Sequence, residues 1–341
     1  MGYACTYPIE CREDLVRFFY KPYRMYFRKP FQFRALGGAV REGFLLRAED
    51  AAGRVSYGEV APLPSFGTET LDEAKRVLDS MQGVIDVAQV PSGCPATRFG
   101  LSSMQYFLEH VDAGGPESFR LAALLPSGRE AIDMIQAKRQ LGFECFKWKM
   151  GVLPYEEEEA ILDALLEHLP DGASLRLDAN GTLTPELFER WLERLARAPV
   201  EFFEQPLGAE YLDLMLEAAQ STSVLLALDE SATTVEQCRA LADRGWVGIL
   251  VIKPSIVGDF QAFLTWRRGF QGECVYSSAF ETPVGMQAAL ALASLDSRFG
   301  ERPVGFDTYD FLMPFEGLDV VSGATMKPLQ QEQLEAVWKQ V

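Results

Sequence analysis

The stretch CFKWKMG, Cys145 to Gly151, alternates two kinds of side chain: Phe146, Trp148 and Met150 on one parity, Lys147 and Lys149 on the other. Side chains of a β-strand point to opposite faces in turn, so both ammonium groups share one face of an otherwise apolar strand. Charge is costly on a buried strand unless something compensates it. The lysine face is therefore expected to look into a site rather than into a core.

Outward from this strand, short apolar runs recur from about residue 120: RLAALL, CFKWKM, SLRLDAN, EFFEQPL, LLALDES, GILVIKPS, CVYSSAFE and VGFDTYDF. Amphipathic segments such as PYEEEEAILDALLEHL and TPELFERWLERLARA lie between most of them. Strand and helix in alternation imply parallel strands with crossover helices. Eight runs suggest closure into a TIM-type barrel, and about 190 residues are a tight but workable length for one. An open doubly wound sheet is the alternative; it needs a Gly-rich phosphate loop after its first strand, and LLPSGRE is a poor one.

Upstream, residues 15 to 60 read as a strand-rich meander. REGFLLRAED and RVSYGEVAP are two strands joined at AAG, and YKPYRMYFRKPFQF, basic residues interleaved with aromatics, reads as a packed strand rather than an anion site. Thr70 and Glu73 make a capping box that opens a helix, and a second helix is expected at about 98 to 112.

The 341 residues carry 49 acidic and 32 basic side chains, a net charge of -17, which argues against a nucleic-acid partner. No apolar run is long enough to span a membrane, and the N-terminus lacks a basic flank followed by an apolar segment, so a cytoplasmic protein without a membrane partner is expected. The six cysteines form no CxxC pair, and the two histidines, His110 and His168, fall in helix-like segments. A zinc site, a disulfide framework and a Ser-His-Asp triad are all disfavoured.

In a barrel of this kind the working residues come from the C-terminal strand ends. Those ends carry Lys147 and Lys149, then Asp178, Glu204, Asp229 and Lys253, then Ser277 and Ser278. Successive positions from Asp178 on are spaced by about 25 residues, one strand-helix unit. Asp178 alone reads as well as a helix cap or Asx turn as it does as a functional carboxylate. Three carboxylates on three successive strands, however, repel one another without a cation. Hard oxygen ligands suit Mg²⁺. Lysines beside such a cation should have lowered pKa values, which makes a general base. The chemistry this suggests is removal of the α-proton of a metal-bound carboxylate, with Mg²⁺ stabilising the enediolate.

In KWK, LDAN, FFEQP, ALDES and IKPS, in that order, the sequence resembles the muconate-lactonizing subgroup of the enolase superfamily. YGEVAPLPSFGTET, SSAFET and GFDTYDF make it most similar, within that subgroup, to the o-succinylbenzoate synthase family. The resemblance implies an α/β fold, a modified TIM barrel (β/α)7β at residues 116–315, with an α+β capping domain at 1–115 completed by the C-terminal tail, about 316–341. It implies that Asp178, Glu204 and Asp229 bind Mg²⁺, with Mn²⁺ a possible substitute. Lys149 would be the general base, Lys253 would stabilise the enediolate from the opposite face, and Lys147 would tune Lys149. Ser277, Gly305 and Asn180 match substrate-holding positions. Gly37 and Gly38 in ALGGAVREG would give a lid loop its hinge freedom. The partner is a small-molecule carboxylate, and the chain would act as a monomer or homo-oligomer.

Other subgroup members use the same polar positions to racemise N-acylamino acids or epimerise dipeptides. The epimerases carry a late Asp-x-Asp, whereas Asp307 and Asp310 are three apart here. A muconate cycloisomerase fits the cap loop and seventh strand less well, and a non-catalytic barrel scaffold leaves every one of these polar positions unexplained.

Overall fold

The computed structural model describes residues 16–28, 40–81, 85–110, 116–300, 302–311 and 315–341. The lid glycines Gly37 and Gly38, like Cys5 and Cys11, lie outside the described residues.

Arg17–Tyr26 (β1), Val40–Glu49 (β2) and Val55–Val60 (β3) form an antiparallel sheet in that order. The expected hairpin turns where Asp50 Oδ1 accepts the N–H groups of Ala52 and Arg54, an Asx turn that Gly53 completes at φ 77°. Leu71–Ser80 (α1) opens with the Thr70–Glu73 capping box. Pro95–Glu109 (α2) starts earlier than 98, because Pro95 takes a first-turn position whose N–H would be unpaired in any case. Leu101, Met104 and Leu108 of α2 pack on Phe44 and Leu46 of the sheet. The helix comes close enough that a Cβ on Gly58 would lie 2.5 Å from the Gly100 carbonyl oxygen, so glycine is required there.

Phe119–Arg120 (β4) leads into the second layer system: Ala123–Leu125 (β5), Glu130–Gln140 (α3), Cys145–Lys149 (β6), Tyr155–His168 (α4), Ser174–Asp178 (β7), Pro185–Leu195 (α5), Phe202–Glu204 (β8), Leu212–Ser221 (α6), Leu226–Leu228 (β9), Val235–Asp243 (α7), Ile249–Ile252 (β10), Phe260–Gly269 (α8), Glu273–Tyr276 (β11) and Pro283–Leu295 (α9). Strands β5 to β11 are parallel neighbours in chain order. The eighth apolar run closes the ring through single bridges, Ser277 to Gly305 and Leu121 to Val304. It is short partly because Pro303 has no N–H to donate. Closure excludes the open doubly wound alternative.

Trp148, Phe146 and Met150 sit in the core between strands and helices, and Phe202, Ala227, Ile249, Val251 and Val275 fill the barrel interior. Burial on both faces is what turns these strands into continuous apolar runs. After Val321–Ser322 (β12) and Thr325–Met326 (β13), Gln331–Gln340 (α10) lays Leu334, Val337 and Trp338 against Tyr23, Leu45 and Tyr57 of the antiparallel sheet. Among the described residues no helix is long and apolar enough to cross a membrane.

Candidate active site

The polar strand ends meet at the mouth of the barrel, but their register is stepped. Lys149 pairs with Asp178 and Asp178 with Glu204, yet Glu204 pairs with Ala227, two residues short of Asp229. Leu228 pairs with Leu250, so Lys253 is again two residues farther on than Asp229. The average advance of about one residue per strand is what a closed eight-stranded barrel of shear 8 needs to keep its tilted strands' ends level. Each step is zero or two because only an even step keeps the side chain pointing inward.

Lys147 Nζ lies 2.8 Å from Asp178 Oδ2 and 2.7 Å from Glu204 Oε1, and Lys253 Nζ contacts both carboxylate oxygens of Asp229. The lysines thus stand between the carboxylates, and among the described residues no three acidic, histidine or cysteine side chains converge directly as a ligand cluster. Lys147, Lys149, Asp178, Asp229 and Lys253 line a cavity of about 990 Å³; Glu204, 1 % exposed, sits beneath them. Glu230 and, on the far side, Asp307 also line the cavity, so five carboxylates and three ammonium groups stand at or beneath it.

Burial, with the neighbouring carboxylates, sets the protonation pattern. Burial, reinforced by Asp178, pushes Glu204 up to about 8, and burial with Asp229 pushes Glu230 up to about 7. Burial opposes the Lys147 charge, but Asp178 and Glu204 outweigh it and raise its pKa. The sequence argument expected lowered lysine pKa values; for Lys147 the direction is reversed, because two carboxylates lie within hydrogen-bonding distance.

The residues fit a hard divalent cation on two counts. All the donors are oxygens, and a cation among them would favour the charged forms of Glu204 and Glu230 that burial opposes. Two buried oxygens, Asn180 Oδ1 and Glu230 Oε2, have no hydrogen-bond partner, although Asn180 Nδ2 donates to Glu230 Oε1 at 3.2 Å. Asn180 holds φ 45°, which its short polar side chain tolerates, and its N–H donates to Asp178 Oδ1 at 3.0 Å.

On the far side, Ser277 Oγ donates to the Gly305 carbonyl at 3.3 Å, and a Cβ on Gly305 would lie 2.7 Å from that Oγ. Asp307 lines the cavity and accepts from Lys138 Nζ and from the Leu124 N–H.

Three residues escaped the sequence reading. Phe66, from the 3-10 turn Pro64–Phe66, lays its ring 4.6 Å from Lys253 Nζ, a cation–π contact. Glu158, 1 % exposed, accepts the N–H groups of Gly151, Val152 and Leu153, clamping the loop that follows Lys149. Gln205 is fully buried at φ 34°: its Oε1 accepts from the N–H groups of Asp229 and Ser231, and its Nε2 donates to Leu207 O and Ser231 Oγ. One amide thus ties the end of β8, carrying Glu204, to the turn carrying Asp229. A glutamine ending an apolar strand just before a proline was the only available signal. On the expectation that Glu204 and Asp229 hold Mg²⁺, Gln205→Ala should weaken its binding about 10- to 100-fold, the usual cost of losing a group that orients such ligands. Titration calorimetry checks it, and an unchanged affinity would remove the tie from consideration.

His168 ends α4, whereas His110 lies just past the end of α2 as its C-cap; each ring faces a main-chain carbonyl four residues back. Cys94, Cys145, Cys238 and Cys274 are free thiols.

Barrel, stepped carboxylates and facing lysines define a protein of the enolase superfamily. The Enolase C-terminal domain-like family matches residues 130–325, and the MenC N-terminal domain matches residues 20–108. An o-succinylbenzoate synthase of Thermosynechococcus vestitus is 38% identical over 263 residues, 74% of this chain and 80% of that protein. One from Pectobacterium atrosepticum is 31% identical over 312 residues, covering 88% of this chain and 92% of that one. The crystal structure of o-succinylbenzoate synthase from Thermosynechococcus elongatus BP-1, complexed with Mg in its active site, superposes with TM-score 0.84 at 32% identity, covering 95% of this chain and 100% of that one. The L-Ala-D/L-Glu epimerase of Bacillus subtilis, at 18% identity and TM-score 0.77, shares the fold. The chain belongs to the o-succinylbenzoate synthase family.

Proposed function

We propose that the protein is a hydro-lyase that dehydrates 2-succinyl-6-hydroxy-2,4-cyclohexadiene-1-carboxylate to o-succinylbenzoate, a cytoplasmic step of menaquinone or phylloquinone synthesis. The observation that carries this reading is the row Lys149–Asp178–Glu204 set opposite Lys253 around one cavity, in a chain of this family. Asp178, Glu204 and Asp229 are assigned as holders of Mg²⁺, with Mn²⁺ an acceptable substitute because it favours the same oxygen donors. The bound ion supplies Lewis-acid stabilisation of charge on the substrate carboxylate. Lys149 Nζ takes the α-proton and returns a proton to the departing hydroxyl on the same face, a syn elimination whose product gains aromaticity. Lys253 faces the ring from the other side and steadies the negative charge, held there by Phe66. Lys147, between Asp178 and Glu204, keeps both carboxylates turned inward. Ser277, Gly305 and Asn180 hold the substrate. Residues 1–115 with the tail from about 316 form the cap over the barrel of 116–315.

The direct test is aromatic product appearing in the ultraviolet when purified protein, Mg²⁺ and the cyclohexadiene acid are mixed. No aromatic product, together with deuterium exchange at the α-carbon of an N-acylamino acid, would transfer the assignment to a racemase. Asp178→Asn is expected to weaken Mg²⁺ binding and shift the Mg²⁺ dependence of turnover to higher concentration; an unchanged dependence would contradict its place in the metal site.

A further inference from the structure

Arg41, at the start of β2, is 3 % exposed, and its hydrogen bonds among the described residues go to main-chain carbonyls. Nη2 donates to Ala61 O at 2.6 Å, Nη1 to Pro62 O at 2.7 Å and to Glu42 O at 3.3 Å, and Nε to Phe280 O at 3.1 Å. Ala61 and Pro62 lead into the turn whose Leu63, Ser65 and Phe66 line the cavity. Phe280 belongs to the barrel loop whose Ser277, Ser278 and Ala279 line it as well. One rigid guanidinium fork therefore spans both walls, and Phe280 is held at φ 58°, a conformation that a bulky residue adopts only where its surroundings impose it. The same loop is tied a second time. Glu59 of β3 accepts the N–H groups of Thr282 and Gly285, each at 2.9 Å.

We propose that Arg41 is a positioning residue for the reaction: its fork sets the separation between the 61–66 turn and the 277–280 loop, and so shapes the end of the cavity that Ser277 lines. A planar fork with donors in fixed directions does this where an ammonium cannot, because a lysine reaches as a point charge and does not aim its donors at several carbonyls at once. The loop placed this way carries Ser277, which holds substrate, while the base Lys149 stands on another strand. The larger effect should accordingly fall on binding, with a smaller one on the chemical step through Phe66, which touches Lys253.

The experiment compares wild type with Arg41→Lys. Expected are a KM raised about tenfold or more, within the roughly hundredfold that a misplacement of about 1 Å can cause, a kcat within about threefold, and an unchanged Mg²⁺ affinity. Amide hydrogen exchange should quicken in peptides covering 61–66 and 277–282 and stay unchanged in 174–178. Arg41→Met, which keeps bulk and removes the buried charge, gives the same comparison should the lysine variant fail to fold. Unchanged exchange in both segments would overturn the proposal, as would a fall in kcat or Mg²⁺ affinity with KM unmoved. The turnover arm rests on the dehydratase reading. Exchange does not, so a wild type inactive on the cyclohexadiene acid would sink that reading and still leave Arg41 tested.

Discussion

Lys149→Ala is expected to cut turnover by at least about a hundredfold and as much as about ten-thousandfold, the span over which a positioned proton-transfer group contributes. Mg²⁺ affinity by calorimetry should stay close to wild type, because Lys149 is assigned to the substrate rather than to the ion. Lys147→Ala makes the informative contrast. Its ammonium bonds two of the carboxylates assigned to the metal, so its loss should move metal affinity and turnover together. A Lys149 variant that keeps activity within about tenfold of wild type would take the base role away from it. One that loses metal and activity in parallel would place it in the metal site instead.

The contrast between the two lysines could be read from CFKWKMG only in part. Period-2 alternation is local, so it placed both ammonium groups inside the barrel correctly and put Phe146, Trp148 and Met150 under the helices. The eight apolar runs likewise correspond to seven paired strands and a bridged eighth segment, since both-face burial leaves a continuous apolar signature. What lies between elements far apart in sequence left no such mark. The steps of two at Asp229 and Lys253 come from strand tilt, which no single strand encodes. Gln205, Glu158 and Arg41 act by bonding backbone groups brought near by the fold. A glutamine, a helix-surface glutamate and a strand-end arginine look ordinary in sequence, and only their burial shows that they are not. The pKa of Lys147 moves opposite to the expected direction for a related reason: alternation fixes which face a side chain takes, whereas its charge state depends on the distance to Asp178 and Glu204 across neighbouring strands.

The largest stability effect is expected at the other end of the barrel. Arg176 shares the inward face of β7 with Asp178, two residues away. Its Nε lies 2.8 Å from Glu201 Oε2, its Nη1 donates to Pro303 O at 2.9 Å, and its guanidinium stacks 5.0 Å from the Phe202 ring centroid. Arg302 approaches Glu201 from the eighth segment, so the network joins β7, β8 and the closing run. Arg176→Met should cost about 2–3 kcal/mol in equilibrium urea unfolding, less than the roughly 3–5 kcal/mol of a buried charge left wholly uncompensated, because Arg302 still contacts Glu201. Arg190→Ala, which breaks an exposed pair with Glu156, should cost no more than about 1 kcal/mol and serves as the control. The pH dependence carries the sign. Although burial opposes its charge, Glu201 is held down at about 2, first by Arg176 and then by Arg302. A carboxyl whose folded pKa lies below its unfolded value of about 4.3 stabilises the fold at neutral pH, and that contribution, about 3 kcal/mol, drains away as pH falls from about 4 to about 2. Without Arg176 the folded pKa rises, less stability remains to be lost, and the unfolding free energy of Arg176→Met should fall less steeply over that window than that of wild type. Parallel acid limbs for the two proteins would mean that Arg302 alone holds Glu201 ionised, and that Arg176 works only through Pro303 and Phe202.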